Sequence, residues 1–80
     1  MAETPARGVS YNRTMDIVLN GRSHQVDSGV RIDRLVAALG FAGKRIAVER
    51  NGQIVPRSRH GETEVQPGDR IEIVVAVGGG

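Results

Sequence analysis

The chain has 80 residues, 39% of them hydrophobic and 25% charged, with 11 basic and 9 acidic side chains giving a formal net charge of +2. That is the balance of one small globular domain with a modest core and no room for a second domain or a deep catalytic cleft. Near-neutral, interspersed charge and an aromatic content of 2% argue against nucleic-acid binding, and the lack of cysteine excludes disulfides, thiolate metal sites and cysteine nucleophiles.

The opening segment, residues 1–14, shows no apolar periodicity and reads as a disordered arm. It holds no apolar stretch suited to a secretory signal, and no run in the chain approaches membrane-spanning length. A cytoplasmic location is the default expectation. With one Phe, one Tyr and no Trp, the core has to be aliphatic.

Periodic sequence begins at Met15. In "MDIVLNGRSHQVD", Met15, Ile17 and Leu19 alternate and Asn20-Gly21 supplies a hairpin turn, since both residues tolerate positive φ. The return strand, near Ser23 to Asp27, is weaker, with Val26 its only strongly apolar residue. The period then changes. Ile32, Leu35, Val36 and Leu39 fall on one helical face, and Asp33 complements the dipole in the first turn. Gly40 stops the helix as a left-handed C′ residue. Val30 or Arg31 occupies the position where a Ser, Thr or Asp cap is expected.

Strand character returns at Ile46 and Val48. Asn51-Gly52 turns the chain into a short strand, Gln53 to Val55, which Pro56 ends because it cannot donate a ladder hydrogen bond. "RSRHGETEVQ" reads as a polar loop with at most one helical turn. "PGD" at Pro67 to Asp69 is a turn signal, and "RIEIVV" alternates Ile71, Ile73 and Val75 against Arg70, Glu72 and Val74. The expected architecture is α+β: a mixed sheet with one main helix packed across one face. Its units are an arm (1–14), a folded domain (15–77) and a glycine tail (78–80).

The tail is Gly78, Gly79 and Gly80. Extended, three residues reach about 10 Å, and with Ala76 and Val77 roughly 17 Å. That length can thread a narrow channel in another protein while the body stays outside. Glycine suits threading, having no Cβ to collide with a wall and accepting any backbone conformation the wall imposes. Ordering it costs about 1–2 kcal/mol per residue, which a partner's main-chain hydrogen bonds must offset. The chemistry at the tip is that of a carboxylate, ionised at neutral pH and a poor electrophile until phosphoryl activation gives it a leaving group.

"AVERNGQIVPR" (Ala47 to Arg57), "PGDRIEIVVAVGGG" (Pro67 to Gly80) and the "MDIVLNG" opening together resemble the ThiS-type sulfur carrier proteins of thiamine biosynthesis. The resemblance covers Met15 to Gly80. It implies a β-grasp, ubiquitin-like fold and a carrier that is not itself an enzyme. It implies that the Gly80 carboxylate is adenylated by an E1-like adenylyltransferase of the ThiF type using ATP and magnesium, with no cofactor held by the chain. It further implies conversion to a thiocarboxylate with sulfur from a cysteine desulfurase or related donor. A thiazole synthase of the ThiG type then takes the sulfur. Gly79 and Gly80 carry over as the family's terminal pair, and Gly78 extends the run. Arg31 departs from the pattern at the helix start.

A body that feeds its tail to a partner needs a docking patch. Besides Gly78, Gly79, Val77 and Ala76, the outward-facing Val18 and Val74 are candidates, with Phe41 just past the helix. Val74 is the most informative, since an apolar residue pointing away from the helix requires a reason. His24 and His60, single and far apart, read as surface residues rather than metal ligands. Arg57, Arg59 and His60 form a basic cluster with two readings, a docking site for an acidic partner surface and a solvated loop, of which the loop is the better; Asp69 belongs to its turn. Three rivals share the pattern: a molybdopterin-synthase small-subunit type of carrier, a ubiquitin-like modifier of lysines, and an interaction domain with an inert tail.

Overall fold

The computed structural model describes residues 13–76. Strands β1 (Thr14–Leu19) and β2 (Arg22–Asp27) lead to helix α1 (Ile32–Ala38), and β3 (Ile46–Arg50), β4 (Gln53–Val55) and β5 (Arg70–Val75) follow. A single 3-10 turn, Arg57–Arg59, lies between β4 and β5. The strands form one five-stranded sheet in the order β2-β1-β5-β3-β4. β1 and β5 run parallel at its centre, and every other pairing is antiparallel. This is the mixed sheet with one helix expected from the element order, arranged as a β-grasp. Of the segment 1–14, residues 1–12 lie outside the described residues, whereas Thr14 is the first residue of β1 and pairs with Asp27.

Both hairpins turn where the sequence puts Asn-Gly. Asn20 and Gly21 have φ of 50° and 82°, Asn51 and Gly52 52° and 85°. Positive φ at both central positions gives a turn whose twist matches the flanking strands. At the end of α1, Gly40 has φ 85°. Its N–H donates to the Ala37 carbonyl and that of Phe41 to Val36, each at 3.0 Å. That is a Schellman cap, and it brings Phe41 over the last turn of the helix. The start is plainer: Arg31 is the N-cap and makes no side-chain capping bond.

The helix lays Ile32, Leu35 and Val36 on the inner face of the sheet, against Ile17, Val26, Val48, Ile71 and Ile73, with Leu39 half-buried beside them. Ile32 and Ile71, with no exposed surface, are each worth about 1.5–3 kcal/mol of apolar burial.

Two readings of "RSRHGETEVQ" are corrected. Val65, in a stretch read as polar loop, is a core residue at 1% exposure, and His60, read as a surface histidine, is 8% exposed. The loop is tied inward at these two residues, while Arg57 and Arg59 stay exposed. Val65 N–H donates to the Val30 carbonyl at 2.8 Å, and Ile32 and Asp33 N–H donate to Thr63 and His60 carbonyls. The His60 ring sits on the sheet margin with Nε2 3.0 Å from the Val55 carbonyl. A polar ring with one such bond can be buried at little cost. His24, on β2, is half-buried.

Candidate functional site: the root of the carboxy-terminal tail

Strand β5 is the element that leaves the fold toward the carboxy terminus, and its hydrogen bonds divide by parity. Its even residues face β3: Asn51 N–H donates to the Arg70 carbonyl at 2.7 Å, and Ala76 N–H to the Arg45 carbonyl at 2.9 Å. Its odd residues face β1: Val18 N–H donates to the Asp69 carbonyl and Asn20 N–H to that of Ile71, both at 2.9 Å. At the next step the main chain of β1 has already turned. The Asn20 side chain takes its place, accepting from Ile73 N–H at 2.8 Å and donating to the Ile73 carbonyl at 3.3 Å. Val75 is the following odd residue, and among the described residues its N–H and C=O meet no partner on the β1 side. From Val75 onward the strand is held along one edge only.

The start of β5 is held tightly instead. Asp69, 7% exposed, accepts from Arg50 Nε at 2.7 Å, Asn51 Nδ2 at 3.1 Å and Gln66 N–H at 2.8 Å. Asn51 Oδ1 in turn accepts from Arg70 N–H at 2.9 Å. Burial by itself pushes the Asp69 carboxyl up. The Arg50 hydrogen bond, the Gln66 N–H, the Asn51 amide and the Arg50 charge outweigh it and hold the group below the usual aspartate value. Asp69 is thus the organising residue of its turn, as its place in "PGD" indicates, with Gln66 from the turn itself and Arg50 and Asn51 from the neighbouring hairpin.

The outer face of the sheet lies opposite the helix. Val74 points out at 61% exposure, beside Ala47, its register partner on β3. Ile54, also at 61%, points out from β4 opposite Glu49. Glu49 and Glu72 face one another between them. Val18 shares this face but is half-buried and pairs with Arg70. Four residues along β5 separate that position from Val74, about 13 Å. Phe41 is on the other side, packed against the core below the helix end. Ala76 is exposed. The four side chains therefore form no single patch: Val74 and Ala76 mark the tail root, Val18 the far end of the outer face, and Phe41 the helix side. Val77, Gly78, Gly79 and Gly80 lie outside the described residues. Sequence reasoning missed Ile54, although its alternation with Val55 before Pro56 carried the signal. Among the described residues no group of His, Asp and Glu is arranged to hold a metal ion, and no helix is long and apolar enough to cross a membrane.

Comparison with known proteins adds a lineage to this geometry. A model of the ThiS family matches residues 9–80, so the match begins inside the segment set aside as an arm. A thiazole synthase of Magnetococcus marinus is 42% identical over 66 residues, 82% of this chain but 20% of that protein. A thiazole synthase of Paramagnetospirillum magneticum is 38% identical over the same shares. The chain thus spans about a fifth of the length of these two relatives. The sulfur carrier protein ThiS of Bacillus subtilis is 41% identical over 64 residues, 78% of this chain and 96% of that one. Among solved structures, the thiamine biosynthesis protein (ThiS) from Geobacter metallireducens superposes with a TM-score of 0.72 at 32% identity, covering 82% of this chain and 100% of that one.

Proposed function

The chain belongs to the ThiS family, and from that premise we propose that it is a sulfur carrier of thiamine biosynthesis whose working group is the carboxylate of Gly80. One observation carries the reading furthest. β5 brings the chain to the surface at Ala76 with its last described residues hydrogen-bonded along a single edge, and the sequence beyond is Val77-Gly78-Gly79-Gly80. An open strand edge followed by glycines is a segment that another protein's main chain can pair with.

The chemistry follows from the carboxylate. Its oxygen attacks the α-phosphorus of ATP held by an E1-like partner with magnesium; pyrophosphate leaves and an acyl-adenylate forms. A sulfur nucleophile, supplied by a desulfurase or related donor because this chain has no thiol, attacks the carbonyl carbon. AMP departs; with a donor persulfide as the nucleophile, a second partner thiol then cleaves the acyl disulfide at its S–S bond, leaving the thiocarboxylate on Gly80 and a disulfide between the two partner thiols. The carrier contributes position and an unobstructed carbonyl, and catalysis belongs to the partner. A thiazole synthase is the proposed sulfur acceptor. The presence of a related domain within two thiazole synthases supports this branch over the molybdopterin one.

Intact-mass spectrometry of the chain co-expressed with its activating enzyme and sulfur donor tests the proposal. The expected product has one oxygen replaced by sulfur; branched adducts on lysines would identify a modifier instead. In ATP–pyrophosphate exchange with the activating enzyme, the full chain is expected to support exchange. The chain lacking Gly80 is expected to support none while keeping its melting temperature. Exchange retained by that truncation contradicts the assignment.

A further inference from the structure

Beside the tail root lies a notch of about 220 Å³ lined by Asp33, Phe41, Lys44, Ile46, Arg57 and His60, with Val36 and two glycines completing the wall. Its link to the tail is direct. Ile46 is the register partner of Val75, and the carbonyl of Arg45, next in sequence to Lys44, accepts the Ala76 N–H at 2.9 Å. The floor is apolar, from half-buried Phe41 and Ile46, and the rim is cationic, from exposed Lys44 and Arg57. Asp33 supplies the one carboxylate, and the buried His60 ring is already bonded at Nε2 to Val55. Among the described residues neither Lys44 nor Arg57 has an ion-pair partner, whereas Arg50 and Arg59 each do.

We propose that this notch is a second docking point for the protein that activates the tail, and that it receives acidic side chains from the rim of that protein's slot. The proposal rests on the functional reading above and adds the chemistry of the contact. Two exposed cations with no counter-ion among the described residues, at the base of a tail that must enter a partner, select a negative surface there. The alternative anion, the nucleotide, is out of range. From Ala76 to Gly80 is four residues, so a nucleotide joined at Gly80 is about 13 Å from the root when a partner's slot holds the tail extended. What meets the notch is protein. The outer face, with exposed Val74 and Ile54 and the acids Glu49 and Glu72, offers a different chemistry, so the two sides of the tail root orient the carrier as well as attract it.

The experiment is exchange kinetics with the purified activating enzyme, varying carrier concentration at ~0.05 M and ~0.5 M salt, which brackets weak and strong screening. The double variant Lys44→Glu, Arg57→Glu is expected to raise KM at least about tenfold at low salt, with kcat within about twofold and the gap closing at high salt, as rim charges act on encounter. Arg13→Glu with Arg34→Glu makes the same change in net charge away from the notch and is expected to leave KM within about twofold. All four side chains are exposed. Should charge reversal unfold the chain, Lys44→Gln with Arg57→Gln replaces it, with KM up about threefold. An unchanged KM, or an equal rise in the Arg13/Arg34 variant, overturns the proposal while leaving the functional reading standing. A KM that falls on reversal, as release of a tail docked on its own body would produce, also overturns it. Wild-type chain that supports no exchange overturns the functional reading and this inference with it.

Discussion

The two ends of β5 are built on opposite plans. At Asp69 and Arg70 the strand is gripped by an ion pair, two side-chain amide contacts and a turn bond. At Val75 and Ala76, six residues on, one main-chain bond to Arg45 remains, and the neighbouring outward side chain, Val74, is mostly exposed. Side chains fix the beginning of the strand, and main chain alone holds its last described residue. The proposed role calls for both: a direction of departure that does not wander, and beyond it a sequence of glycines with no side chain to obstruct a channel. The contrast separates stability from function along a single strand, and it can be broken from either end.

The largest expected effect is at the free end. Gly79→Val adds a β-branched side chain where threading needs none, and is expected to lower kcat/KM for exchange by about 10²-fold, the scale of an ångström-level misplacement of a reacting group. Its melting temperature should match wild type. A comparable kcat/KM would mean that the channel is wide.

Asp69→Ala inverts the pattern. Removing the acceptor of three hydrogen bonds is expected to cost about 1–3 kcal/mol in urea unfolding, with kcat unchanged for the folded fraction. The same carboxyl predicts a pH signature. Its folded pKa is depressed, so its stabilisation is complete above the ordinary aspartate value of about 3.9 and is lost as pH falls through the lower folded value. The stability gap between wild type and Asp69→Asn should therefore be flat above ~pH 5 and shrink in acid.

Asn20→Gly keeps the turn conformation and removes only the two side-chain bonds to Ile73; a loss of about 1 kcal/mol is expected. Faster hydrogen exchange should appear at Ile73 and leave Arg70 unaffected. The smallest stability effect belongs to Val74→Ser, within about 0.5 kcal/mol of wild type. An increased KM for the activating enzyme is the expected readout there.

Most of the scaffold was legible in the sequence because its signals are local. Asn20-Gly21 and Asn51-Gly52 demand positive φ, Gly40 stops a helix whose apolar stripe has one period, and Pro56 ends a strand. The lack of a polar cap at the helix start was legible too, though the position was left between Val30 and Arg31, and Arg31 is the N-cap. The segment after Pro56 was not. His60, Thr63 and Val65 are drawn inward by bonds to Asp33 and Val55, to Ile32 and to Val30 respectively, contacts that no local periodicity encodes. Of the site, the exposure of Val74 could be read from strand alternation. The separation of Val18 and Phe41 from it could not, because it depends on parallel register and on which side of the sheet the Schellman turn falls. The Asn20 amide bridging to Ile73 was equally hidden: the residue was chosen for its turn, and its second use appears only once β5 lies alongside.

The parallel pairing of β1 with β5 has a mechanical consequence. A partner that draws on the tail applies its load along the axis of β5. The bonds from Val18, Asn20 and Arg45 to that strand lie across this axis, so they share the pull in shear instead of unzipping one after another. The body can be tugged by its thread without unravelling.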